Sequence, residues 1–140
     1  MKKYFLVVLI VTSLAGCASL KDFPKVLLGT STRDLESARS NSIYQDYPYS
    51  KAACFDAILR IVNKNKYYVF IQDPARGLIV LMSIPDFVDT TEVGVFITEL
   101  PKDQGVRVEF SSQSTPAKRA VAKFLFGELS DFFNKGSATN

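Results

Sequence analysis

Histidine is absent from all 140 residues, and this absence removes more chemistry than the residues present can supply. Without imidazole there is no histidine general base, no Ser-His or Cys-His nucleophile pair, and none of the usual zinc or haem ligand sets. An excess of one charge is lacking too. Seventeen Lys and Arg face 14 Asp and Glu, a formal net charge of +3 with no basic run, so the chain carries no electrostatic footprint for nucleic acid. Long hydrophobic runs are missing. The apolar stretch Phe5 to Ala15 has eleven positions, against the roughly 20 needed to span a bilayer as a helix. No Gly-x-x-x-x-Gly-Lys loop or dinucleotide fingerprint occurs, and Gly29 to Thr32 does not supply one.

What is present begins with a leader. Lys2 and Lys3 form a positive start, the apolar run has signal-peptide length, and it ends in Leu14-Ala15-Gly16-Cys17. This tetrapeptide resembles the lipobox of bacterial lipoproteins, Leu-small-small-Cys. The resemblance implies a diacylglyceryl group on the Cys17 sulfur, cleavage between Gly16 and Cys17, and acylation of the freed amine. Leu14, Ala15 and Gly16 are then the signal peptidase recognition residues, and residues 1–16 are lost. Removing Lys2 and Lys3 leaves 15 basic and 14 acidic residues, close to neutrality. A single myristoyl chain binds a membrane only marginally, and each buried methylene adds about 0.8 kcal/mol, so two or three long chains hold a protein there durably. Ala18, where enteric sorting uses Asp for inner-membrane retention, favours the outer membrane facing the periplasm and leaves the inner membrane open. With Cys17 lipidated, Cys54 has no partner for an internal disulfide.

Residues 17–41 read as the lipidated cysteine and a tether. Phe23-Pro24 forces extended chain, and Ser31-Thr32-Arg33-Asp34 fits a capping box opening a short helix over 32–39. Gly29 to Arg33 with Leu35-Glu36 is similar to a segment that follows the lipid cysteine in some small, uncharacterised bacterial lipoproteins, and that similarity brings no activity with it.

A single domain is expected over 42–134, followed by a disordered polar tail at 135–140. A strand at Ile43 to Tyr47 stops at Pro48. Ser50 caps a helix from Lys51 to Asn63, whose stripe is Cys54, Phe55, Ile58, Ile61 and Val62. Cys54 on that stripe reads as a small buried hydrophobe, since no histidine can activate it. Strands follow at 66–72, 78–84, 92–100 and 106–111, separated by turn residues such as Asp73-Pro74-Ala75-Arg76-Gly77. Thr115 caps a last helix with Pro116 at its first position and an apolar stripe of Val121, Phe124, Leu125, Leu129, Phe132 and Phe133. The fold class is therefore α+β: an antiparallel sheet of four to five strands with two amphipathic helices on one face, in the order β-α-β-β-β-β-α. That order resembles helix-grip and related domains of envelope lipoproteins, including an accessory lipoprotein of the outer-membrane β-barrel assembly machinery.

Asp86, Asp89 and Glu92 fall in one loop, but without the spacing of a calcium loop, so they read as solvated. No nucleophile has an identifiable base. The expectation is a protein that is not an enzyme, with no catalytic residue, no cofactor and no bound metal. The informative oddity is that two strands are apolar on both faces. Tyr67, Val69 and Ile71 alternate with Tyr68 and Phe70, and Leu78, Val80 and Met82 alternate with Ile79 and Leu81. Only one set can face the helices, so the other needs a cover: the tether through Leu27, Leu28 and Leu35, a second protein, or a lipid. These readings point to a non-catalytic envelope lipoprotein, bound to the membrane through Cys17 and to an envelope protein partner. The alternative is a carrier or sensor of an apolar ligand between helix and sheet, which predicts an enclosed apolar cavity.

Overall fold

The computed structural model describes residues 32–137. The expected signal peptide, the lipobox-like Leu14 to Cys17, and Leu27 and Leu28 lie outside the described residues. The chain is α+β, with one five-stranded antiparallel sheet in the order β1-β5-β4-β3-β2. A short helix α1 (32–37) runs into a 3-10 turn at Ala38–Asn41. Then come β1 (Ile43–Tyr47), α2 (Lys51–Lys64), β2 (Tyr68–Asp73), β3 (Leu78–Met82), β4 (Val93–Glu99), β5 (Val106–Ser111) and α3 (Thr115–Ser137).

Local chemistry sets the boundaries. Ser50 is extended and its hydroxyl accepts from the Ala53 N–H at 3.2 Å, closing the first turn of α2. The helix ends in a Schellman arrangement, with Tyr67 N–H donating to the Val62 carbonyl and Lys66 N–H to that of Asn63. Lys66 takes the left-handed position, φ 61°, where glycine is usual. In the β2–β3 turn, Gly77 has φ +66°, and a Cβ there would fall 2.3 Å from the Ile97 carbonyl oxygen.

Both long helices pack on the front of the sheet. Cys54, Phe55, Ile58, Ile61 and Val62 of α2 and Val121, Leu125 and Leu129 of α3 share one cluster with Ile79, Leu81, Val93, Val95, Ile97, Val106, Val108 and Phe110. A second, smaller cluster occupies the back: Leu35, Leu78, Val80 and Phe96, with Ile71 against it.

Four differences from the sequence reading have physical causes. The cap of α3 is Ser114, whose hydroxyl accepts from Ala117 N–H at 3.4 Å, so Thr115 is already helical and Pro116 follows it. That helix runs through Ser137 instead of giving way to a disordered tail at Lys135; it has 23 residues and continues past its last buried position, Leu129. The helix expected over 32–39 stops at 37 and tightens into the 3-10 turn. In β2 the register shifts between Val69 and Ile71, so that Val69 pairs with Leu81 and Ile71 with Val80. This bulge at Phe70 breaks the expected alternation: Val69 joins the front cluster and Ile71 the back one.

Candidate interaction surfaces

Cross-strand pairing lays out the back of the sheet in two halves. Towards β3 and β2 it is apolar, with Leu78, Val80 and Ile71. Towards β1 and β5 it is charged. Arg107 makes a two-pronged contact with Asp46, 2.7 Å through Nε and 2.9 Å through Nη2, and its guanidinium lies 4.1 Å from the Tyr44 ring centre. That bidentate hydrogen bond holds the Asp46 carboxyl below the usual carboxylate range.

The chain segment leading into β1 covers the apolar half. Leu35 is 2% exposed, and its carbonyl accepts the buried Ser111 hydroxyl at 2.6 Å. A Cβ on Gly94 would come within 3.2 Å of Leu35 Cδ1, so the missing side chain is the seat for the leucine. Arg39 extends the cover. It donates to Glu36 at 3.1 Å and to Glu109, and its guanidinium sits 4.5 Å above the Phe96 ring centre. Lys118 of α3 is buried and donates to the Asn41 carbonyl, fixing the far end of the same segment. Of the three covers the doubly apolar strands called for, part of the tether region supplies one through Leu35.

Two edges remain. The outer row of β1 presents Tyr44, Gln45 and Asp46. Charged side chains on an edge oppose the addition of another strand. The β2 edge carries no charge from Tyr68 to Gln72 and ends on Asp73, and its bulge confines strand addition to the stretches on either side of Phe70. Tyr68 is 56% exposed and Phe70, at the bulge, 37%.

No family model, curated protein or solved structure matches the chain.

The buried reactive groups are quiet. Cys54 is fully buried, and burial pushes its thiol from the usual 9.0 up to about 11. Burial, with a lesser effect of Cys54, pushes the Tyr47 hydroxyl up to about 12. That hydroxyl has no hydrogen-bond partner among the described residues. Asp86 and Asp89 are exposed, and Asp86 has φ 69°. Among the described residues no three His, Cys, Asp or Glu side chains converge to hold a metal ion. None of the described helices is long and apolar enough to cross a membrane.

Clefts are open and mixed in character. One of about 410 Å³ lies between the start of α2 and the β4–β5 hairpin, lined by Tyr49, Ser50, Lys51, Glu99 and Asp103. Another of about 380 Å³ separates Arg60 and Lys64 of α2 from Glu128, Asp131 and Phe132 of α3. Each touches the core at one residue, Val106 in the first and Ile61 in the second, while Phe55, Ile58 and Leu125 pack together in that cluster and Phe124 packs against it. Sequence reasoning missed the β2 bulge and the role of Gly94. A Phe inside the uncharged run Tyr68 to Gln72 leaves no signal for the former. For the latter, a lone glycine inside a β-branched run is the mark of a close approach.

Proposed function

We propose that the protein is a non-catalytic, lipid-anchored component of the cell envelope that recruits an envelope protein through the edge of β2. The carrying observation is that edge itself: uncharged from Tyr68 to Gln72, with Tyr68 and Phe70 exposed. An extended segment adding to it would gain main-chain hydrogen bonds, and the two aromatic rings would supply specificity. The anchor follows from the Leu14-Ala15-Gly16-Cys17 resemblance, and Ala18 favours the outer membrane facing the periplasm. The continuous packing of Phe55, Ile58 and Leu125 favours surface recognition over carriage of an apolar ligand between helix and sheet.

The test uses the full chain in its own membranes, with a photo-crosslinking residue at Tyr68 or Phe70 and a control at Gln45 on the opposite edge. A discrete stoichiometric adduct from the β2 positions alone is expected after detergent solubilisation. Repeated recovery of the protein by itself would sink the reading. Mass spectrometry of the mature N-terminus checks the anchor separately, expecting a peptide that begins at a diacylglyceryl Cys17.

A further inference from the structure

We infer that the end of the domain bearing Lys64, Lys66, Arg119 and Lys123 docks on the anionic phospholipid headgroups of the membrane that holds the chain. The inference rests on the lipid-anchor reading and adds a second, electrostatic contact to it.

The register fixes which parts share that end. Tyr68 pairs with Met82 and Leu81 with Val93, while Gly94 pairs with Ser111 and Ile43 with Phe110. The starts of β1, β2 and β4 and the finishes of β3 and β5 therefore lie together. The α2–β2 turn joins there, as does the first turn of α3. The described chain also enters at this end, because the Asp34 carbonyl accepts from Gln113 Nε2 at 3.3 Å and the Leu35 carbonyl from Ser111. Cys17 is fifteen residues before Thr32, so the anchor lies within about 50 Å of chain even when fully extended.

Packing between the helices and β2 groups the cations. Tyr67 stacks on Phe124 at 5.3 Å between ring centres, which brings the turn carrying Lys64 and Lys66 beside the helical turn carrying Lys123. Arg119 precedes Lys123 by four residues and so shares its helix face. All four side chains are exposed, and among the described residues none of them is in an ion pair. Lys66 projects from a left-handed position that a glycine would hold at lower conformational cost. At the opposite end Lys51 donates to the Ala75 carbonyl at 2.7 Å and Arg76 pairs with Glu36 at 3.5 Å, while Lys102 stands exposed on the β4–β5 hairpin.

An exposed ring stands at the same end, Tyr68 at 56% exposure, while the exposed Val88 belongs to the acidic β3–β4 loop. Aromatic rings of this kind settle at headgroup level. Asp34, Asp86, Asp89 and Glu92 share the end as well, on the entry helix and the β3–β4 loop. The end is therefore two-sided, and its helical side, where Glu128 and Asp131 lie across the α2–α3 cleft from Lys64, is the one that meets the headgroups. Each cation held near an anionic surface favours docking roughly fivefold, and the tether raises the effective concentration so that a weak contact suffices.

The experiment places the full lipidated protein in vesicles of phosphatidylcholine alone or with about one-third phosphatidylglycerol, carrying a headgroup quencher. A dye sits on Asn63→Cys, where the buried Cys54 does not compete. Flotation with neutral vesicles reads the anchor, and dye quenching reads the docking. Quenching is expected to rise at least threefold with phosphatidylglycerol. It should vanish in K64Q/K66Q/R119Q/K123Q, and in about 0.5 M salt, where screening shortens to about 4 Å. The control K102Q, on the opposite hairpin, should leave quenching unchanged. A thermal melt establishes that the quadruple variant is folded. Flotation without lipid-dependent quenching, or quenching that survives the quadruple substitution, overturns the docking and leaves the anchor standing. Failure to float with neutral vesicles overturns the anchor reading, and this inference with it.

Discussion

Leu35 and Gly94 fit as a knob and its seat: a Cβ on the glycine would lie 3.2 Å from Leu35 Cδ1 and 2.9 Å from Phe96 Cε2. Leu35 stands outside the domain expected over 42–134, yet it is more deeply buried than most of the core-facing aromatic residues. The consequence is that Leu35 belongs to the fold and the back of the sheet is part of its stability. Leu35→Ala should destabilise by about 2–4 kcal/mol, the usual range for a buried leucine that leaves a partly collapsed cavity. Gly94→Val should do comparable damage by overpacking, about 1–3 kcal/mol. Urea denaturation of the two variants checks both. A Leu35→Ala effect below about 0.5 kcal/mol, the size of an ordinary surface change, would mean the cover is incidental.

Much of this architecture was legible in the sequence, and the parts that were not share a cause. The helix stripes and the alternation of Val106 to Ser111 each encode one buried face, and they gave the correct layers. Leu78 to Met82 encodes two buried faces, which the sequence displayed without saying what covered the second. Leu35 supplies that cover through contacts 76 residues apart in the chain, as with Ser111, and no local pattern reports such a contact. β2 misled for the opposite reason. Its residues alternate in the sequence, and the bulge at Phe70 alters the phase through pairing with β3 alone. Of the candidate site residues, the lipobox resemblance at Leu14 to Cys17 rests on sequence alone, while the β2 edge emerged only once strand order was known.

Tyr47 is 6% exposed and its hydroxyl is without a partner, among rings of Phe126 and Phe133 at 6.5 and 6.2 Å. An unmade buried hydrogen bond costs about 1–3 kcal/mol. Tyr47→Phe removes the orphan without changing the packing, so it should raise stability by up to about 1 kcal/mol. A chemical melt at neutral pH measures this directly. A loss of stability instead would show that the hydroxyl is satisfied in solution.

The raised pKa values of Cys54 and Tyr47 fix a direction for alkaline behaviour. A group whose pKa is higher in the folded state keeps its proton there longer than in the unfolded chain. Its stabilisation is complete below the unfolded value and is lost as pH climbs towards the folded one. For Cys54 that window runs from 9.0 to about 11, and for Tyr47 from 10.0 to about 12. Stability should therefore fall steadily between pH 9 and 11, and the double variant Cys54→Ala, Tyr47→Phe should show a shallower fall. At pH 8 a maleimide should label Cys54 only after unfolding, since the thiolate is the reactive form.

Arg39 and Leu35 attach one segment at two points, and this makes their contributions interdependent. Arg39 donates to Glu109 and Glu36 and lies over the Phe96 ring, whose other neighbours include Leu35 in the back cluster. Arg39→Ala should cost about 1–2 kcal/mol, from charge-assisted hydrogen bonds and a ring contact in a partly covered site. Arg39→Lys should recover little of it, because an ammonium cannot reach two carboxylates while lying flat on a ring. The double variant Leu35→Ala, Arg39→Ala should lose less than the two single losses together. Once either attachment is gone the segment can lift, and the second residue has less left to hold. A cycle of four urea denaturations measures this coupling, expected at about 0.5–1.5 kcal/mol for residues sharing one element. Strict additivity would mean that the two residues act on separate parts of the fold, and that the segment stays seated on either one alone.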